Sequence, residues 1–106
     1  MKKKILISIP AYNEANNIRP LYKKLNETLE EKRDEVDFEI LFINDGSKDN
    51  TVSEVLSLIE QTDNVSLIDL SRNYGKEIAM SAGFDYSTHD AVITMDADLQ
   101  HPPATI

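Results

Sequence analysis

Residues 38–59 read FEILFINDGSKDNTVSEVLSLI. The first six are apolar and rich in strand formers, apart from Glu39. A polar turn, Asn44-Asp45-Gly46-Ser47, follows them. Val52, Val55, Leu56 and Ile59 then recur at helical spacing. Thr51 with Glu54 three residues on has the pattern of a capping box at the start of that helix. The stretch therefore predicts a strand, a polar turn and a helix in direct succession.

The same unit recurs on either side. Short apolar runs at 4–9, 65–70 and 91–95 are of strand length, and near-continuously apolar, as strands covered on both faces are. Ile18, Leu21, Tyr22, Leu25 and Leu29 mark one face of a helix after the first run. Asn16 or Asn17 can cap it, with Pro20 tolerated in its first turn. A weaker helix spans about 76–86, with Ile78, Ala79 and Ala82 as its buried side and Gly83 weakening it. The order β-α-β-α-β-α-β predicts an α/β, three-layer Rossmann-like fold with a parallel sheet and helices on both faces. Strand order 3-2-1-4 is expected, with the flavodoxin-like 2-1-3-4 as the alternative.

With 106 residues the chain makes one domain. A net charge of −8 argues against a broad nucleic-acid surface. The apolar stretch after Lys2-Lys3-Lys4 is too short for a signal peptide, and no run approaches the roughly 20 apolar residues of a membrane helix. The absence of cysteine excludes disulfides and thiolate-ligated zinc. A soluble, cytoplasmic segment is expected.

Four polar clusters sit at the carboxyl ends of the four strands, where open parallel sheets bind ligands. They are Pro10-Ala11-Tyr12-Asn13-Glu14, Asn44-Asp45-Gly46-Ser47, Ser71-Arg72-Asn73-Tyr74-Gly75-Lys76 and Asp96-Ala97-Asp98-Leu99-Gln100. Each cluster alone is ordinary turn or surface chemistry; four at successive strand ends predict one shared site. Carboxylates crowded there repel by about 1 kcal/mol per pair at 4 Å in water, and more in a cleft. A hard cation, Mg²⁺ or Mn²⁺, removes that penalty. On extended backbone Asp96 and Asp98 share a face and can hold one ion between them. No Gly-rich phosphate loop of either common type is present. Phosphate charge would then be met by the metal, by Arg72 or Lys76, and by helix N-termini, which suits a nucleoside diphosphate leaving group. Asp45 could accept the N–H of a nucleobase on which Tyr12 stacks.

IPAYNEANNI, INDGSKDNT, SRNYGKEIAMSAG and MDADLQHPP, in this order and spacing, resemble the family-2 glycosyltransferases of the GT-A fold, and among them the polyprenyl-phosphate (dolichol-phosphate-type) sugar transferases. The resemblance covers essentially the whole chain. It implies a metal-dependent, inverting transfer from a UDP- or GDP-linked sugar to a polyprenyl phosphate, at the cytoplasmic face of a membrane. It places Pro10, Ala11, Tyr12, Glu14 and Asp45 along the nucleotide pocket, with Lys76 nearby. Asp96 would contact ribose or metal, and Asp98 and Gln100 would hold the ion. Asn44 stands where many relatives carry an acidic residue, and His89 where a turn glycine is usual. The chain resembles the nucleotide-binding half of such an enzyme. By itself it is expected to bind donor without turnover, with the acceptor site and membrane segments in a further C-terminal region and self-association through an open strand edge. A phospho-accepting receiver-like domain is the alternative, but it would need acidic residues directly after strand 1, where Pro10-Ala11-Tyr12 stands. A pyrophosphorylase-like domain would need a Gly-rich loop there. A non-catalytic binding module is the remaining alternative.

Overall fold

A computed structural model describes residues 3–32, 34–70 and 72–95, with the side chain of Lys76 outside that description. Its elements run β1 (Lys3–Ala11), α1 (Ala15–Glu30), β2 (Val36–Asp45), α2 (Thr51–Gln61), β3 (Val65–Leu70), α3 (Lys76–Tyr86) and β4 (Ala91–Thr94). The strands form one parallel sheet in the order β3-β2-β1-β4, the order expected from the sequence.

Side chains alternate across the sheet, and the two faces carry separate cores. Ile7, Ile9, Ile40 and Phe42 pack on one face against Ile18, Leu21, Leu25 and Leu29 of α1 and Val55 and Leu58 of α2. Leu6, Leu41 and Ile43 pack on the other face against Ala79 of α3. Burial on both faces explains why these strands read as continuous apolar runs. Ile78 does not join the core as expected. It is 50% exposed, and α3 meets the sheet through Ala79, Ala82 and Gly83 instead.

Small residues are needed there because α3 lies close to β1. A methyl group added at Gly83 would come within 2.3 Å of Ser8 Oγ, itself buried and without a hydrogen-bond partner among the described residues. The glycine that weakens the helix on propensity grounds is thus the residue that lets the helix dock.

Helix starts differ from expectation. The residue before α1 is Glu14, whose carboxylate accepts the Asn17 side-chain N–H at 2.6 Å, so neither Asn16 nor Asn17 is the cap. Because α1 begins at Ala15, Pro20 lies in its second turn, where it has no N–H to donate to the carbonyl of the exposed Asn16. The Thr51–Glu54 capping box does not form. Thr51 is already the first helical residue, its hydroxyl bonds Asp49, and Glu54 reaches across to Arg19 of α1 at 3.1 Å.

The first and last strands are joined reciprocally: Lys4 N–H donates to Asp90 Oδ2 at 2.7 Å, and Asp90 N–H donates to the Lys4 carbonyl at 2.8 Å. Beside this pair, at the amino edge of the sheet, Glu39 accepts from Ser66, Tyr86 and His89, the last at 2.9 Å. Burial alone would raise the Glu39 pKa, but the hydrogen bonds from Ser66, Tyr86 and His89, with the His89 charge, outweigh it and hold the carboxyl below its usual value of 4.5. A depressed pKa contributes stability above the unfolded value, and that contribution is lost as pH falls from about 4.5 through the folded pKa. Glu39→Gln should therefore flatten the fall in unfolding free energy between pH 5 and pH 3 in urea titrations; an unchanged slope would show that the cluster does not report on folding.

Candidate nucleotide-binding cleft

The carboxyl edge of the sheet opens into a cleft of about 680 Å³. Tyr12 from the end of β1, Asn44 and residues 46–49 from the end of β2, and Asp69, Leu70, Arg72 and Asn73 from the end of β3 line it, with Val52 of α2. Three of the four expected strand-end clusters therefore meet in one place. The cleft sits over the ends of β1, β2 and β3, next to the β1–β4 crevice where the strand order reverses.

One wall is built from two interlocked loops. Asn13 takes a left-handed backbone (φ 54) and turns its side chain toward the β2–α2 loop, where Oδ1 accepts Lys48 N–H at 2.8 Å. In return Asn13 N–H donates to Ser47 Oγ and Glu14 N–H to Thr51 Oγ1, both at 2.9 Å. Asp49 completes the joint, accepting Thr51 N–H at 2.9 Å and Ala15 N–H at 3.2 Å, so one carboxylate serves the starts of two helices. Slight desolvation would raise the Asp49 pKa, but the bonds from Thr51 and Ala15 prevail and hold it below the usual aspartate value.

The other wall is the loop 72–75, and it hangs on Asp45. Oδ1 accepts Tyr74 N–H at 2.7 Å and Oδ2 accepts Gly75 N–H at 3.1 Å. Gly46 lets the loop come this close: it has φ +73, and a Cβ there would lie 2.2 Å from Asn73 N and 2.4 Å from the Arg72 carbonyl carbon. Arg72 lies over the Tyr74 ring, 5.0 Å from its centroid, which fixes a cation at the mouth of the cleft.

The expected site residues divide accordingly. Tyr12 is 43% exposed and lines the cleft. Ala11 is buried in the core, Pro10 is half-buried next to the end of β1, and Glu14 is half-buried against Asn17. Asp45 is 4% exposed, engaged by the loop, and not among the lining residues. Lys76 starts α3, but its side chain is not described, and Asp96, Asp98 and Gln100 lie outside the described residues. Met95, just before them, donates its N–H to the Ser8 carbonyl at 3.1 Å and so continues the β1–β4 pairing toward the carboxyl edge. Among the described residues no group of three His, Asp or Glu side chains gathers to hold a metal. Asp96, Asp98 and Gln100 supply only oxygen donors and amide, a set that suits Mg²⁺ or Mn²⁺ chemically. Sequence reading passed over Asp69. It lies inside an apolar strand run, and only the register that puts it beside Asn44 reveals it as a cleft residue.

An α/β sheet of this order, with a polar cleft at its carboxyl edge, defines a Rossmann-like domain of the kind that binds nucleotides. The model of the family "Glycosyl transferase family 2" matches residues 6–106. The chain belongs to that family. It is 43% identical over 106 residues to the uncharacterized glycosyltransferase sll0501 of Synechocystis, covering 100% of this chain and 33% of that protein. It is 46% identical over 99 residues to the bactoprenol glucosyl transferase of Shigella phage SfX, covering 93% of this chain and 32% of that protein. The chain thus spans about a third of the length of these curated relatives. Among solved structures, the fold matches a mannosyltransferase from Pyrobaculum calidifontis in complex with GDP-Man and Mn²⁺, with a TM-score of 0.79 at 24% identity, covering 92% of this chain and 28% of that one. No helix among the described residues is long and apolar enough to cross a membrane.

Proposed function

We propose that this chain forms the donor-binding half of a metal-dependent, inverting glycosyltransferase that moves a sugar from a UDP- or GDP-linked donor to a polyprenyl phosphate. The observation that carries the proposal is the cleft itself, walled by loops from three strand ends in a chain of glycosyltransferase family 2. The relative named as a bactoprenol glucosyl transferase supports a polyprenyl phosphate acceptor, and the GDP-Man and Mn²⁺ of the structural neighbour support a nucleotide sugar and a divalent ion. Within the cleft, Tyr12 offers a ring for a base and Arg72 a cation for phosphate. Asp96, Asp98 and Gln100 would hold the ion, which when bound stabilises the departing diphosphate. A phosphate acceptor is already anionic, so its attack on the anomeric carbon needs little help from a general base.

The test is thermal melting of the chain with UDP, GDP and CDP, each with and without Mn²⁺. A nucleotide present at 100 times its Kd should add about 2.7 kcal/mol of stability, and only with the metal. No metal-dependent shift with any of the three would sink the reading and favour a non-catalytic module.

A further inference from the structure

Resting on that donor-site reading, we propose that Asp69 is the acceptor that meets the nucleobase, and that Asp45 is a positioning residue that fixes the loop 72–75. Both carboxylates end neighbouring strands, paired at Asp45–Leu70 and Asn44–Asp69, but their surroundings differ. Asp45 has each oxygen engaged by a backbone N–H, is 4% exposed, and has the 72–75 loop packed across Gly46 beside it. A base could reach it only by displacing the loop that carries Arg72. Asp69 is exposed and lines the same cleft as Tyr12 and Arg72.

A short relay sets the orientation of Asp69. Asn44 is 3% exposed, and its Oδ1 accepts Ser47 N–H at 3.0 Å. The amide can then turn only its NH₂ toward β3, where Nδ2 donates to Asp69 Oδ1 at 2.7 Å. Among the described residues, one of about four lone-pair positions on the Asp69 carboxylate is used in this way, and the rest remain acceptors. An acceptor-only group in a cleft that also presents an aromatic ring recognises a heterocycle that carries an N–H on its edge, such as uracil at N3 or guanine at N1. Asn44 also decides what Asp69→Asn would do. The new amide must give its oxygen to Asn44, which turns its own NH₂ toward the base, donor against donor.

The experiment measures Kd by calorimetry for UDP, GDP and inorganic diphosphate with Mn²⁺, for the wild-type chain, Asp69→Asn and Asp45→Asn, together with hydrogen exchange at the Tyr74 and Gly75 amides. Asp69→Asn should weaken the better-bound nucleotide at least tenfold, leave diphosphate within twofold, and leave both amides protected. Asp45→Asn should speed exchange at both amides and weaken nucleotide binding with it. Equal nucleotide binding by Asp69→Asn and wild type overturns the assignment of Asp69 alone. Loss of nucleotide binding in Asp45→Asn with both amides still protected makes Asp45 the base reader and overturns the proposal. A wild-type chain that binds neither nucleotide overturns the donor-site reading, and this proposal with it.

Discussion

Gly46→Ala is expected to cost roughly 3–5 kcal/mol, a large share of the 5–15 kcal/mol typical of a whole domain. Two effects combine. The residue sits at φ +73, where a Cβ is strained by about 1–2 kcal/mol. The added methyl would also overlap loop backbone, 2.2 Å from Asn73 N and 2.4 Å from the Arg72 carbonyl carbon. Backbone cannot swing aside as a flexible side chain does, so the loop must lift and strip the Tyr74 and Gly75 amides from Asp45. Hydrogen bonds to a charged group contribute about 1.5–3 kcal/mol each, though part returns through water once the loop is open. Gly75→Ala is the internal control. Its φ of +98 is strained as well, but nothing lies within 4 Å of the added carbon, so about 1–3 kcal/mol is expected. Urea unfolding of the two variants decides the matter. A Gly46→Ala cost no larger than that of Gly75→Ala would mean that the loop does not pack on Gly46 in solution.

The second large effect is a coupling. Gly83→Ala gains about 1 kcal/mol in helix propensity but drives a methyl to 2.3 Å from Ser8 Oγ. Overpacking of this kind costs about 1–3 kcal/mol, and the net change should be destabilising. Ser8→Ala removes the atom that is struck. The hydroxyl is buried and unpartnered among the described residues, so its loss should itself stabilise by about 0.5–1.5 kcal/mol. In the Ser8→Ala background the next contacts of the added methyl are Ile43 Cδ1 at 3.1 Å and Ser8 Cβ at 3.2 Å, and small adjustments relieve them. Gly83→Ala should then be neutral or stabilising. A double-mutant cycle should read a coupling of about 2 kcal/mol, and strict additivity would show that α3 does not dock through this pair.

Most of the architecture was legible because both faces of the strands are buried and their apolar runs stand out from the helical periods between them. The parallel sheet followed from the alternation of elements, which left the orders 3-2-1-4 and 2-1-3-4 both open until the structure showed the first. The limits of α3 were readable, as were Ala79 and Ala82 on its buried side; only Ile78 was misplaced. Ile78 looks like a core residue by type, but the close approach at Gly83 seats the helix on its small residues. The capping errors have one cause. Thr51, Glu14 and Asn17 carry the right chemistry for caps, but their side chains bond one another or a neighbouring side chain, Asn17 to Glu14 and Thr51 to Asp49, and Thr51 Oγ1 also takes the Glu14 N–H of the other helix start, so none closes the expected cap on its own helix backbone.

For the site, the sequence located the edge but not the orientation of the side chains on it. Asp45-Gly46 reads as a turn with a carboxylate to spare. That the carboxylate is taken by residues nearly thirty positions later depends on tertiary contact alone. Asp69 was hidden for the opposite reason: inside VSLIDL it looks like a lone polar residue on a strand, and only its partner Asn44 gives it a place in the cleft.

The reciprocal bonds between Lys4 and Asp90 bear on how the molecule is assembled as it is made. β1 lies between β2 and β4, so it is the central strand of a sheet whose two neighbours are synthesised far apart. Its pairing with β2 can form as soon as residue 45 has emerged, whereas the β4 side must stay open until the segment 90–94 follows. Through that interval the growing chain carries a half-finished sheet with an unsatisfied ladder along the middle of what becomes the core. Contacts this distant in sequence close slowly, so the nascent protein is most exposed to wrong strand partners just before its fourth strand arrives.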